Sequence, residues 1–135
     1  MRAGRFEVQI DGVEVAGFRR IDLPRRYSEV DTGPEGRKRI GQTSFDDLTM
    51  ERGIKPGATH LVDWRVAIEE GKADEGRKEI AVVLQDEEGT PQFQWTFSDA
   101  WVKEYEPPEL DASADGDIAT ESATIAFDRM EREEV

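Results

Sequence analysis

The chain opens on strict alternation: in Phe6-Glu7-Val8-Gln9-Ile10 every second residue is apolar, which puts Phe6, Val8 and Ile10 on one face of a strand. Asp11-Gly12 follows, a strong signal for a two-residue hairpin turn because both residues tolerate positive φ. Val13 to Ile21, with Val13, Val15 and Phe18 apolar, is predicted as the return strand. From Pro24 to Gln42 the alternation dissolves into charge and glycine, around Thr32-Gly33-Pro34-Glu35-Gly36-Arg37-Lys38-Arg39. Residues 24–42 therefore read as a long contact loop. An excursion of that length in a compact domain generally serves function or orders on a partner.

Thr43 to Arg52 is predicted as the next strand, broken by Lys55-Pro56-Gly57-Ala58. Leu61, Trp64 and Ile68 then recur at helical spacing, with Val62 and Val66 widening the stripe, so residues 59–70 are predicted as a helix with Thr59 as N-cap and Gly71 as terminator. Arg77 to Asp86 contains the apolar run Ile80-Ala81-Val82-Val83-Leu84, the mark of a central strand. Phe93, Trp95 and Phe97 alternate with Gln92, Gln94 and Thr96, and this strand is expected to continue through Trp101 to Tyr105, where Pro107-Pro108 ends it. An acidic loop leads to Asp117. Ile118 to Met130 is the last predicted strand, with Ile125 and Phe127 inward and residues 131–135 a frayed tail. The expected core anchors are Phe6, Phe18, Trp64, Phe93 and Trp95, with Phe97, Trp101, Tyr105 and Phe127 completing the set. The pattern predicts one domain over 1–135, mainly β with one α-helix, as an antiparallel β-sandwich or barrel.

Composition changes this picture at two points. The apolar fraction of 36% is low, so the core is small for its surface and a large interface could make up the difference. Net charge is −13 and unevenly spread. Residues 1–60 carry 11 basic and 10 acidic side chains, whereas residues 61–135 carry 7 and 21. That balance argues against nucleic-acid binding through a general basic face. Arg outnumbers Lys by 13 to 5 and Asn is absent, which fits a halophilic, acidic protein as well as an ordinary acidic one. Without cysteine there is no disulfide, thiolate metal site or cysteine nucleophile. No apolar run approaches a membrane span, and the N-terminus lacks the apolar core of a signal peptide.

The ordered segments resemble the tube proteins of contractile phage tails and of the extracellular contractile injection systems derived from them. The resemblance lies in Phe6-Glu-Val-Gln-Ile-Asp-Gly12, Val15-Ala-Gly-Phe18, Leu48-Thr-Met-Glu-Arg-Gly-Ile54 and the helical Trp64. It continues in Trp95-Thr-Phe-Ser-Asp-Ala-Trp101, Tyr105-Glu-Pro, and Leu110-Asp-Ala112 leading to Ala119-Thr-Glu121. It implies hexameric rings, with one sheet of each subunit joining an inner barrel, stacked into a hollow tube. The implied partners are copies of the chain itself, a contractile sheath protein, baseplate or hub proteins, and cargo or DNA in the lumen. The resemblance implies no catalytic residue, no cofactor and no membrane binding by the subunit. It also implies assembly in the cytoplasm, ending in a virion tail or a released particle.

For that role the basic excursion supplies contact candidates in Arg25, Arg26, Glu29, Arg37, Lys38 and Arg39. Opposite charge stands in the later loop at Glu109, Asp111, Asp115 and Asp117, so the basic loop of one subunit meeting acidic surface of the next is one reading, and a solvated loop the other. Arg52 is a candidate for pairing across a subunit boundary or within the chain, and Glu121 for a lumen charge, a subunit contact or a solvent-facing position. Asp111-Ala-Ser113-Ala-Asp115-Gly116-Asp117 mimics the start of a calcium loop, but Ser122 stands where the bidentate Glu should be and strands flank it. His60 is the only histidine, a surface or capping residue at the helix start, so a catalytic triad lacks a base elsewhere. The alternatives to a main tube subunit are a tube-initiating or baseplate paralogue of the same fold, a ring protein of the type VI secretion kind, and a monomeric acidic β-domain binding calcium or a ligand.

Overall fold

A computed structural model of the chain describes residues 4–113 and 118–135. Its elements, in order, are β1 (Phe6–Ile10), β2 (Val13–Glu14), β3 (Phe18–Asp22), β4 (Arg26–Thr32), β5 (Lys38–Phe45), β6 (Leu48–Gly53), α1 (His60–Glu69), α2 (Ala73–Gly76), β7 (Lys78–Gln85), β8 (Pro91–Glu106), β9 (Thr120–Ala126) and β10 (Arg129–Glu134). Every strand pair is antiparallel. The main sheet runs β2-β1-β7-β8-β9-β6-β3, with β10 also on β8, while β4 and β5 pair only with each other.

The 16-residue β8 is the hinge of the architecture. Its first half pairs with β7 and β10, its second half with β9. Val8, Ile80, Val82 and Phe97 from one half-sheet join Leu48, Met50, Val102, Ala123 and Ile125 from the other in one buried cluster, so the halves face each other as a sandwich. Leu61 and Trp64 of α1 close that cluster, as their spacing predicted.

The hinge is a β-bulge. Between Phe97, opposite Ile80, and Ala100, opposite Lys78, β8 gains a residue relative to β7, and Asp99 takes φ +51. The extra residue reverses the side-chain parity, so Ala100 and Val102 face the core where an unbroken alternation would have sent Trp101. Trp101 is therefore half-buried and outside the core cluster; Phe93, near the start of β8 and ahead of the bulge, is also half-buried and outside it, and both correct their expected role. Trp64 and Phe97 are fully enclosed, and Phe6, Phe18, Trp95, Tyr105 and Phe127 pack against the cluster from its margin.

Several boundaries also depart from the sequence expectation. The return strand Val13–Ile21 is cut at Gly17, whose φ of +94 turns the chain from β2 into β3 on the opposite half-sheet. The strand expected over Thr43–Arg52 breaks at Asp46-Asp47. The single last strand is two, β9 and β10, and the expected frayed tail 131–135 is paired along β8, up to the Val135 amide donating to the Gln92 carbonyl at 3.0 Å. Its charged, exposed side chains give an edge strand no apolar signal, and Met130 is its one buried residue.

Helix α1 begins and ends as the sequence indicates, with one difference at each side. The Thr59 hydroxyl forms no cap bond; it donates to the Asp63 carboxylate at 2.7 Å. At the other end Gly71, at φ +74, donates its N–H to the Ile68 carbonyl while Lys72 donates to Ala67, a Schellman closure that leads into the unforeseen α2. The Trp64 indole N–H donates to the Gly76 carbonyl at 2.6 Å and ties the two helices.

Candidate assembly surfaces

The segment 24–42, expected to be a loop, is mostly hairpin. All seven residues of β4 are exposed, which is why neither face of the ribbon left an apolar alternation to read. Its strands reach roughly 24 Å from the root at strand geometry. The root is pinned on one side by Arg26, which donates to the Met130 carbonyl at 3.0 Å and lies over the Phe45 ring. Phe45 in turn packs on Phe127, ring centres 5.7 Å apart. On the other side Arg25 donates to Asp46 at 2.6 Å and covers the Tyr27 ring, and its hydrogen bond holds the Asp46 carboxyl below the usual carboxylate range. Arg25 and Arg26 thus serve the hairpin root within one subunit.

Beyond the root, β4 and β5 carry an irregularity between Ser28 and Val30. Glu29, itself exposed, brings its backbone close to β5 there: a Cβ on Gly41 would sit 2.6 Å from the Glu29 carbonyl oxygen. The tip closes through Gly33 N–H to Arg37 carbonyl at 2.9 Å, and carries Arg37, Lys38 and Arg39 exposed in solvent. Val30 and Ile40 are register partners, 64% and 91% exposed. An isolated two-stranded hairpin is marginal in water, and an exposed apolar pair on it asks for cover.

Asp111 accepts from the Ser113 N–H at 2.9 Å and hydroxyl at 2.7 Å, bonds that lower its carboxyl from the ordinary value. Asp115 and Asp117, and with them the centre of the calcium-loop reading, lie outside the described residues. Among the described residues no group of three or more His, Asp or Glu side chains is placed to hold a metal. Glu109 stands beside Leu110 and Ile118, both well exposed.

Of the alternatives for Arg52 the one within the chain describes its contacts here, and Glu121 is buried rather than solvent-facing. They are register partners on β6 and β9 and are 2% and 4% exposed, enclosed within the subunit. The Arg52 guanidinium donates to the Ala16 carbonyl at 2.9 Å, lies over the Phe18 ring, and has its Nη1 3.3 Å from His60 Nδ1, which must accept since Arg only donates. Glu121 accepts from the Tyr105 hydroxyl at 2.5 Å. Burial, with this bond second, pushes the Tyr105 phenol up to about 12. Arg52 Nε and Glu121 Oε1 find no partner, and no direct ion pair joins the two side chains. This buried node holds the β2–β3 crossing and the start of α1 against the sheet. It brings together no nucleophile and base.

A family model described as the T4-like virus tail tube protein gp19 matches residues 2–131. The chain belongs to that family. It is a structural subunit of the inner tube of a contractile tail. Among solved structures, a chain of the sheath–tube complex of an extracellular contractile injection system, PVC, in the extended state shares 25% identity at a TM-score of 0.81, covering 100% of this chain and 92% of that one. A chain of the PVC sheath/tube terminator in the extended state reaches 0.85 at 25%, covering 98% and 96%. Hcp1 from Salmonella typhimurium shares the fold at TM-score 0.67 and 16% identity, covering 96% and 85%. No curated protein sequence matches. The family is one of tail tube proteins. No helix among the described residues is long and apolar enough to cross a membrane.

Proposed function

We propose that this chain is the repeating tube subunit, six to a ring, with rings stacked into a conduit that a contractile sheath surrounds and a baseplate or hub initiates. Cargo or DNA passes through the lumen, and the subunit itself binds neither membrane nor cofactor and performs no catalysis. It assembles in the cytoplasm and works in a virion tail or a released injection particle. The observation that carries this reading is surface: the subunit exposes 9310 Å², against roughly 7,100 Å² for a compact monomer of its mass. A surplus of that size fits a subunit that is completed by neighbours.

The ribbon is the contact element. Its basic tip meets acidic surface of another copy, for which the loop bearing Glu109 and Asp111 is one candidate, and the opposed charge favours one polarity of stacking. Replacing Arg37, Lys38 and Arg39 together by Glu should abolish tubes under negative stain while leaving the circular dichroism of the fold intact; normal tubes would end the idea. With a net charge of −13 per subunit the tube also suits high salt, where self-repulsion is screened. Disassembly or unfolding on dilution from molar salt is expected, and unchanged particles at low salt would remove the halophilic reading alone.

A further inference from the structure

A groove of 520 Å³ lies between the β1–β2 turn and α1, with Ile10, Val13, Val15 and Trp64 in its apolar part. Val13 is 63% exposed there, so nothing in its own subunit covers the mouth. The rim carries Asp11, Asp63 and Glu75. Lys78 lies 3.7 Å from Asp11 and offsets it, which leaves the Asp63 and Glu75 side as the negative lip.

We propose that this groove receives the β4–β5 hairpin of a second copy, Ile40 and Val30 entering its apolar part while Lys38 meets Asp63 and Glu75. This rests on the tube reading above and names the acceptor that reading leaves open. The face of the hairpin is fixed by register: Val30 opposes Ile40 and Thr32 opposes Lys38, so the apolar pair and the Lys38 ammonium share one side, while Arg39, one residue away, points to the other. Apolar pair and flanking cation match apolar floor and flanking carboxylate. The loop around Glu109 and Asp111 offers charge and the exposed Leu110, but its surface is as polar as it is apolar.

Placement favours the same match. The hairpin root is tied to β10 through Arg26, whereas the groove lies beside β2, and these are the two margins of the half-sheet β2-β1-β7-β8-β10. A contact from one margin of a subunit to the other margin of the next is heterologous, the kind that closes into rings or propagates along an axis. Because both the apolar and the charged parts contribute, the contact survives salt that screens the ion pairs alone.

The chain has no cysteine, so a two-site cysteine scan reads without background. The full chain carrying Ile40→Cys and Val13→Cys, assembled and treated with a short bismaleimide, should give a ladder of linked oligomers on a denaturing gel, and each single variant should not. In parallel, Lys38→Glu should raise the concentration needed for assembly at least ten-fold, and Lys38→Glu with Glu75→Lys should bring it back. If assembled tubes leave the Ile40/Val13 pair unlinked, or if Ile40→Cys with Leu110→Cys links instead, the groove assignment is overturned and the tube reading stands. If the native chain forms no rings or tubes at all, the tube reading itself fails.

Discussion

Replacing Gly41 by alanine separates assembly from folding. A Cβ at this position would lie 2.6 Å from the Glu29 carbonyl oxygen, 3.0 Å from its carbonyl carbon and 3.1 Å from Glu29 Cβ. Two of those neighbours are backbone, so the paired strands must separate rather than a side chain swing aside. Overpacking of this kind costs about 1–3 kcal/mol, and the entropy that alanine removes from the unfolded chain returns about 0.4–1 kcal/mol. A net loss near 1.4 kcal/mol is about ten-fold in the population of the paired hairpin, which is marginal to begin with. Of β4 and β5 only Phe45, at the hairpin root, packs against the core, and Gly41 lies four residues beyond it, so the loss stays local. Gly41→Ala should melt within about 3 °C of the native chain by circular dichroism and yet need about ten-fold more protein to form tubes, measured by pelleting and negative stain. Gly4→Ala is the control, because its new Cβ meets nothing within 4 Å, and it should assemble normally. Native-like assembly of Gly41→Ala would show that the ribbon does not carry the contact; unfolding of the whole domain would show that its loss is not local.

The buried node makes two further predictions. Arg52→Ala removes the bond to Ala16 and the cover over Phe18, and leaves Glu121 enclosed with no cation nearby; a loss of about 3 kcal/mol, or about 10 °C in melting temperature for a chain of this length, is expected in thermal melts, and a shift under 1 °C would refute it. Tyr105→Phe should remove a component of stability that the native chain has at neutral pH and loses in alkali. The folded phenol keeps its proton up to about 12 against an ordinary 10, so its contribution is whole below pH 10 and falls away as pH climbs toward 12. Denaturant melts of the native chain and Tyr105→Phe should therefore differ most below pH 10 and converge above it; a constant difference would contradict the assignment.

Much of the sandwich was legible because its strands are half-buried and alternate. Phe6/Val8/Ile10 and Phe93/Trp95/Phe97 each fell on one face as read, and the helix was readable from Leu61, Trp64 and Ile68. The failures share a cause: the missing signal was apolar contrast. In β4, exposed on both faces, and β10, a charged edge, pairing is carried by backbone bonds that leave no trace in side-chain chemistry. The bulge at Ser98-Asp99 was hidden because no glycine marks it, and it alone moved Trp101 out of the core. Burial of Arg52 and Glu121 did leave a signal. Leu48, Met50 and Arg52 share one parity, as do Glu121, Ala123 and Ile125, so the period that placed the core also placed the two charges inside it.

The most direct test is single-particle imaging of the purified full chain at molar salt across a concentration series. Six-fold rings stacking into hollow tubes are expected, with the β4–β5 ribbon bridging neighbouring subunits. A chain that stays a 15.3 kDa monomer at every concentration would contradict the tube assignment.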